Sequence, residues 1–186
     1  VLTEDIFILK YDASGNYQWT KKVTSTGKDI GYGLAVDATS VQITGVFDGT
    51  MAWGNDNLVA GGANNYEVFV GILDNNGNFI SATKATGTAN VEDRGIAIAL
   101  ASDKSSYSVG AFTSATITFG ATSMNNSGIK DMYVTKHAWP VSFSKTNATW
   151  CSNGSITVTT LGGTGGYAYD WSPDGYTGDG TSTYSA

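Results

Sequence analysis

The sequence is poor in the residues that most catalytic and redox chemistry needs. Among 186 residues there is one histidine (His137), one cysteine (Cys151) and two prolines, and only 14% are charged. A lone cysteine excludes an internal disulfide framework and a CxxC redox or zinc motif. Cys151 is expected to pack as a small apolar residue against Trp150 or Trp171, and pairing with a cysteine outside this segment stays open. Positive charge is also scarce: ten Lys and Arg against sixteen Asp and Glu give a net charge of −6. Nucleic acid and anionic membranes reward clustered cations, so neither is expected as a partner. No apolar run approaches the roughly 18 residues of a spanning helix, and no signal peptide is seen. The first residue is Val1 rather than Met, so a processed chain, or one cut from something longer, is expected. Helical periodicity is missing too: no segment repeats apolar residues at 3.6 spacing between caps.

What is present is glycine (24 residues), aromatics (12%) and many Thr, Ser and Asn, a composition suited to strands and tight turns. One stretch recurs. Asp5-Ile6-Phe7-Ile8-Leu9-Lys10-Tyr11-Asp12-Ala13-Ser14-Gly15-Asn16 is echoed by Glu67-Val68-Phe69-Val70-Gly71-Ile72-Leu73-Asp74-Asn75-Asn76-Gly77-Asn78, and a third copy opens at Asp131-Met132-Tyr133-Val134. Asp5, Glu67 and Asp131 thus open successive copies at a nearly constant interval. A long interval repeated this way marks stacked or radially arranged units. Between the copies, Gly31-Tyr32-Gly33-Leu34-Ala35-Val36-Asp37 and Val41 to Phe47 match 95–100 and 107–112, with Gly33 set against Gly95 and a few extra turn residues in the second copy. Thr50-Met51-Ala52-Trp53-Gly54 matches Thr116-Ile117-Thr118-Phe119-Gly120. Each unit then has four strands (31–37, 41–47, 67–73, 78–84), small and inner first, charged and outer last. That is the pattern of a β-propeller blade, which buries both faces only against its neighbours.

The composition changes after His137. Ala138-Trp139-Pro140 marks a boundary, because proline cannot donate to a central ladder. Beyond it, 141–145, 154–160 and 167–171 read as alternating strands, the last two joined through Gly162-Gly163-Thr164-Gly165-Gly166, at the spacing of an immunoglobulin-like sandwich. The expected fold is therefore all-β. Residues 1–138 form a partial propeller of four-stranded antiparallel blades, and 139–186 start an immunoglobulin-like module. Two and a half blades cannot close, so a piece of a longer chain, or closure with other copies, is expected.

Residues 1–137 resemble the SBBP-type β-propeller repeat of bacterial secreted proteins, on Gly33 to Asp37, Val41 to Phe47 and Asp5 to Gly15. The second copy departs at Ala99, Gly71 and Ile72. Residues 141–186 are similar to the SprB-type repeat, on Thr146 to Cys151, Asn153 to Thr159 and Leu161 to Ser172. That repeat is immunoglobulin-like and is strung along large surface adhesins of gliding Bacteroidetes exported by the type IX system. Together the resemblances imply an outer-surface protein of a Gram-negative bacterium and carry no catalytic motif.

The chemistry-bearing residues point the same way. Nucleophilic catalysis needs a base beside Ser or Cys, and His137 reads as a strand-end residue. Glu92 with Asp93, and Asp29, are the candidate carboxylate pair of a glycosidase, but Asp29 recurs near Asp93 as part of the repeat and reads as structural. Asp12 to Trp19 faintly resembles a sialidase Asp-box with the wrong spacing, and reads as a hairpin turn. Asp74 to Asn78 and Asn55-Asp56-Asn57 offer oxygen ligands without the closing glutamate of an EF-hand, so turn is preferred and calcium is the one cofactor left open. Gly162 to Gly166 lacks the Lys-Ser/Thr and helix of a phosphate loop. Trp53 and Phe119 read as core rather than sugar platforms. No catalytic, cofactor or metal residue is assigned.

The expected function is a non-enzymatic segment of a large secreted or cell-surface adhesin or scaffold, presenting loops on a rigid β frame for adhesion or gliding. Its partners are other blades, other copies, and surface polysaccharide or other cell-surface proteins. Two alternatives stand beside it: a carbohydrate-active propeller enzyme whose catalytic residues lie outside this segment, and a subunit of an extracellular filament.

Overall fold

A computed structural model describes residues 4–62, 65–88 and 91–139, together with the backbone strands 141–146, 155–160 and 183–185. The described residues form strands and turns with no helix. In order the strands are β1 (Phe7–Tyr11), β2 (Tyr17–Lys22), β3 (Thr24–Ser25), β4 (Asp29–Val36), β5 (Ser40–Phe47), β6 (Thr50–Trp53), β7 (Asp56–Val59), β8 (Glu67–Asp74), β9 (Phe79–Thr86), β10 (Arg94–Leu100), β11 (Ser106–Phe112), β12 (Thr116–Phe119), β13 (Thr122–Asn125), β14 (Asp131–His137), β15 (Val141–Thr146), β16 (Ser155–Thr160) and β17 (Thr183–Ser185). The chain divides into two compact units: 1–101 with 106–137, and 102–105 with 138–186.

In the first unit every strand pairing is antiparallel. β1 and β2 form a hairpin, β10-β11-β14 a three-stranded sheet, and β3-β6-β7 a small sheet. The largest sheet has six strands in the order β13-β12-β9-β8-β5-β4. Its last four members are the four strands expected for one repeat, in the expected order. The sheet runs on past β9 because Phe119 and Thr118 of β12 pair with Ala85 and Thr86. β6 does the same one repeat earlier, pairing Ala52 and Met51 with Thr24 and Ser25. The segment 24–28 therefore contains a strand that receives the next repeat's short hairpin. Pairing partners distant in sequence leave no local mark, which is why composition missed it.

The repeats share fine detail. A bulge at Tyr32 leaves Gly31 opposite Gly45, and a bulge at Ile96 leaves Gly95 opposite Gly110. This corrects the sequence alignment: Gly95 corresponds to Gly31, and Gly33 corresponds to Ala97. Gly33 is small for another reason, since a Cβ there would lie 2.8 Å from the Ala97 Cα where β4 and β10 press together. Asp12 and Asp74 each staple their hairpin turn. Asp12 accepts from the amides of Ser14 (2.9 Å) and Asn16 (2.8 Å), and Asp74 from those of Asn76 and Asn78 (both 2.8 Å). Gly15 and Gly77 take the positive φ (82° and 81°) these turns require.

Burial follows the strand alternation. Ile6 and Ile8 of the β1 segment join Ile43, Phe47, Phe69, Leu73, Met51 and Trp53 in one core. Val68, on the other face of β8, joins Ala85, Phe112, Ile117 and Tyr133 in a second. β8 is thus covered on both sides. The run Ile6 to Leu9 of the β1 segment, apolar on both faces, predicts the same cover there, but only Ile6 and Ile8 are buried while Phe7 and Leu9 stay exposed. Trp53 is a core residue, and Phe119 is partly buried and packs against the second core. The Trp53 indole donates to the Ile72 carbonyl (3.1 Å) and meets Phe79 edge-on at 5.2 Å, while Phe119 stacks 4.8 Å from Tyr133. Gly71 departs from the repeat because a Cβ there would come within 2.4 Å of the Trp53 ring.

In the second unit β15, β16 and β17 form an antiparallel sheet, with Val141 opposite Thr160 and Ser155 opposite Ser185. The expected strands at 141–145 and 154–160 are present. The third, at 167–171, lies outside the described residues, as do Cys151, Trp150, Trp171 and the Gly162–Gly166 turn.

Candidate functional site

Among the described residues the chemistry-bearing side chains do not converge. His137 ends β14, half-buried, with its Nε2 2.8 Å from the Ser108 Oγ and its ring edge-on to Phe119. Burial lowers its pKa from the ordinary histidine value. No sequence pattern announces the Ser–His contact, because the two belong to different strands far apart in the chain. Ser108 has no exposed surface, so a substrate cannot reach its hydroxyl, and the contact fastens β11 to β14. Glu92 is taken up by Arg94 in a two-pronged ion pair (2.5 and 2.7 Å). Asp56 accepts the Ala82 amide at 2.8 Å. Among the described residues no three His, Cys, Asp or Glu side chains are grouped as a metal would need.

Asp29 and Asp93 are equivalent, one repeat apart. Each ends the loop before an inner strand, and each has its amide bonded to the preceding repeat (Glu4 O, 2.7 Å; Tyr66 O, 2.9 Å). Their carboxylates differ. Asp93 accepts from the Thr113 and Ser114 amides (2.9 and 3.1 Å) and from the Ser114 hydroxyl (2.5 Å). In the earlier repeat Gly49 stands where Ser114 does, and it has no hydroxyl to give. Asp29 is only 1% exposed, and neither of its carboxylate oxygens has a hydrogen-bond partner. The nearby Ser25 hydroxyl donates instead to the Gly27 carbonyl at 2.8 Å. Burial, eased somewhat by Ser25 and reinforced by repulsion from Asp5 and Asp48, pushes the Asp29 pKa up to about 6.

Asp29 lies in a cleft of about 440 Å³ between the 4–9 segment and β4, lined also by Phe7, Leu9, Ile30, Leu34 and Ile43. The cleft runs beside the edge of β1 that, among the described residues, carries no strand. Of the lining side chains Phe7, Leu9 and Leu34 are large, apolar and exposed, as are Tyr11 further along β1 and Val36 further along β4. Ile96, Met132 and Val134 are exposed apolar residues of the β10-β11-β14 sheet. No single sequence position announces the cleft, since it arises from the spacing of two strands that do not pair. The one signal that could have found it is Phe7, whose repeat partners Phe69 and Tyr133 each lie against a glycine-bearing strand.

No protein-family model matches this chain, and no curated protein matches it.

Proposed function

We propose that this chain is a non-enzymatic segment of a large secreted or cell-surface adhesin or scaffold, presenting loops on a rigid β frame. It comprises consecutive blades of a partial β-propeller over 1–138 and the start of an immunoglobulin-like module over 139–186, and it acts outside the cell. The carrying observation is the repetition of one sheet unit down to its bulge, its acid–lysine pair and its stapled turn, with apolar faces bare at both ends of the series. The acid–lysine pair is Asp5–Lys22 (2.8 Å) in one repeat and Glu67–Lys84 (2.5 Å) in the next. Units that bury their faces only on each other suit a stacked array. The carboxylates of the turns are spent on their own backbones, which makes the loops rigid platforms rather than reactive ones. The sequence resemblance to SBBP-type and SprB-type repeats supplies the surface-adhesin setting. The test is an assay of the purified full-length protein on surface polysaccharides. Saturable binding without turnover is expected, and hydrolysis that Asp29→Asn or Glu92→Gln abolishes would overturn the reading in favour of a carbohydrate-active enzyme.

A second reading, a filament subunit, is favoured by the two bare apolar faces, which lie on opposite kinds of strand residue. Odd-numbered Phe7, Leu9 and Tyr11 are exposed on β1, and even-numbered Met132 and Val134 on β14. Inside the unit an odd face and an even face are what successive repeats turn toward each other, so copies stacking head to tail would continue the pattern. Images of the native particle with copies related by one constant rotation and rise would favour this reading over the adhesin.

A further inference from the structure

β1, β8 and β14 are three versions of one strand, and two of them have a partner on their inner edge. β8 pairs with β5, placing Phe47 opposite Glu67 and Gly45 opposite Phe69. β14 pairs with β11, placing Phe112 opposite Asp131 and Gly110 opposite Tyr133. In both cases the aromatic ring lies across the glycine. A Cβ on Gly45 would stand 2.9 Å from the Phe69 ring and 1.9 Å from the Ile30 carbonyl oxygen. A Cβ on Gly110 would stand 2.6 Å from the Tyr133 ring and 1.9 Å from the Arg94 carbonyl oxygen. The tighter contact at both glycines is with the carbonyl of the inner strand and the next with the ring, so a side chain there would displace both; the rings of Phe69 and Tyr133 are buried.

Phe7 is the third aromatic of the set. Its register is secured by its own hairpin: Phe7 sits opposite Lys22 and Asp5 bonds Lys22, as Phe69 sits opposite Lys84 and Glu67 bonds Lys84. Yet Phe7 is 67% exposed, and among the described residues β1 pairs only with β2. The cleft beside β1 leaves its inner edge accessible.

We infer that the inner edge of β1 is a docking site for one extended, antiparallel strand of the β5 and β11 type, supplied by a further repeat unit of the same kind. The strand sets a glycine opposite Phe7 and an aromatic residue opposite Asp5. Affinity comes from backbone hydrogen bonds along the edge, and selectivity from the glycine, which leaves the Phe7 ring room to lie across the strand as Phe69 lies across Gly45 and Tyr133 across Gly110. This rests on the repeat-array reading and adds to it the sequence pattern of the neighbour.

The test uses the full 186-residue chain and three synthetic peptides. The first has the sequence of 40–48, the second is the same peptide with valine in place of the glycine that corresponds to Gly45, and the third is a scrambled control. Backbone hydrogen exchange and titration by fluorescence or calorimetry are the readouts. The first peptide is expected to slow exchange in residues 5–11 and to bind at least tenfold more tightly than the valine peptide, and Phe7→Ala in the chain is expected to erase that preference. Equal binding of the glycine and valine peptides, or no slowing in 5–11, overturns the proposal. Slowing of 5–11 without peptide that grows with protein concentration and that Met132→Lys with Val134→Lys abolishes also overturns it, because the β14 face of a second copy, not a β5-type strand, then covers the edge. The peptide-free exchange of β5 and β11 reads the underlying array separately. Slow exchange there with no peptide effect defeats the docking strand alone, whereas fast exchange in both defeats the stacked repeat as well.

Discussion

At the residue scale, Asp29 and Asp93 show how one substitution elsewhere changes the meaning of a repeated acid. Ser114 gives Asp93 a hydroxyl, and Gly49 gives Asp29 nothing, so Asp29 is a buried acid whose charge is uncompensated. Its folded pKa of about 6 lies above the unfolded value near 3.8, so the folded protein takes up a proton first as the pH falls. The charged form therefore weighs on stability above about pH 6, and that weight fades between about 6 and 4. Asp29→Asn is expected to raise stability at pH 7 by roughly 2 kcal/mol, with the gain vanishing by about pH 4. Urea titrations at pH 7, 5.5 and 4 measure it, and a gain that persists at pH 4 would contradict the assignment. His137 works in the opposite sense. Its pKa is depressed below 6.5 by burial, so stability is lost as the pH falls through that value. In the Asp29→Asn protein, where the acid's contribution is gone, acidification from pH 7 to 5 is expected to destabilise more steeply than in the parent, and the same titrations read it.

At the scale of the element, the acid–lysine pair that ties each hairpin has a different worth in each repeat. Lys84 meets a Glu67 that has no exposed surface, whereas Lys22 and Asp5 are open to water. Removing Lys84 strands a buried carboxylate, although the Gly61 amide and the Asn65 side chain (both 3.1 Å) continue to donate to it. Lys84→Met is expected to cost about 3 kcal/mol, and Lys22→Met under about 1 kcal/mol. Thermal or chemical unfolding of the two variants side by side checks the contrast, and equal losses would mean that burial does not set the value of the pair. The hairpins themselves were legible from residues. Asp-x-x-Gly-Asn predicts the stapled turns, and the short apolar runs ahead of them predict the strands β1 and β8. The short strand at 24–25 and the bulges at Tyr32 and Ile96 were not legible, because each is defined by what lies across the ladder rather than along the chain.

At the scale of the whole first unit, two cores sit on either face of β8, and bare apolar faces remain on the β1 and β14 sides. Large exposed apolar patches mark interaction surfaces. The isolated chain is expected to self-associate at micromolar concentration. Met132→Lys with Val134→Lys is expected to shift it toward monomer with little change in melting temperature, because both side chains already face solvent. Sedimentation and a melting scan together test this: unchanged association, or a large loss of stability, would show that the face is not free. The candidate site was only half readable. Its acid was noticed and read as structural, and its cleft depends on the separation of β1 from β4, two strands that share no hydrogen-bonded ladder.

The sequence by itself determined the all-β class, the recurrence of the unit that opens at Asp5, Glu67 and Asp131, the hairpin turns and the core place of Trp53. Those follow from side-chain alternation and turn chemistry, which are local. Tertiary structure alone decided that Gly31 rather than Gly33 matches Gly95, that Asp29 is buried without a donor while Asp93 is satisfied, and that Phe7 stands open where Phe69 and Tyr133 are covered. Those outcomes depend on which strand lies opposite, and a strand's neighbour across the sheet is chosen by packing over a whole repeat of chain, not by the residues beside it.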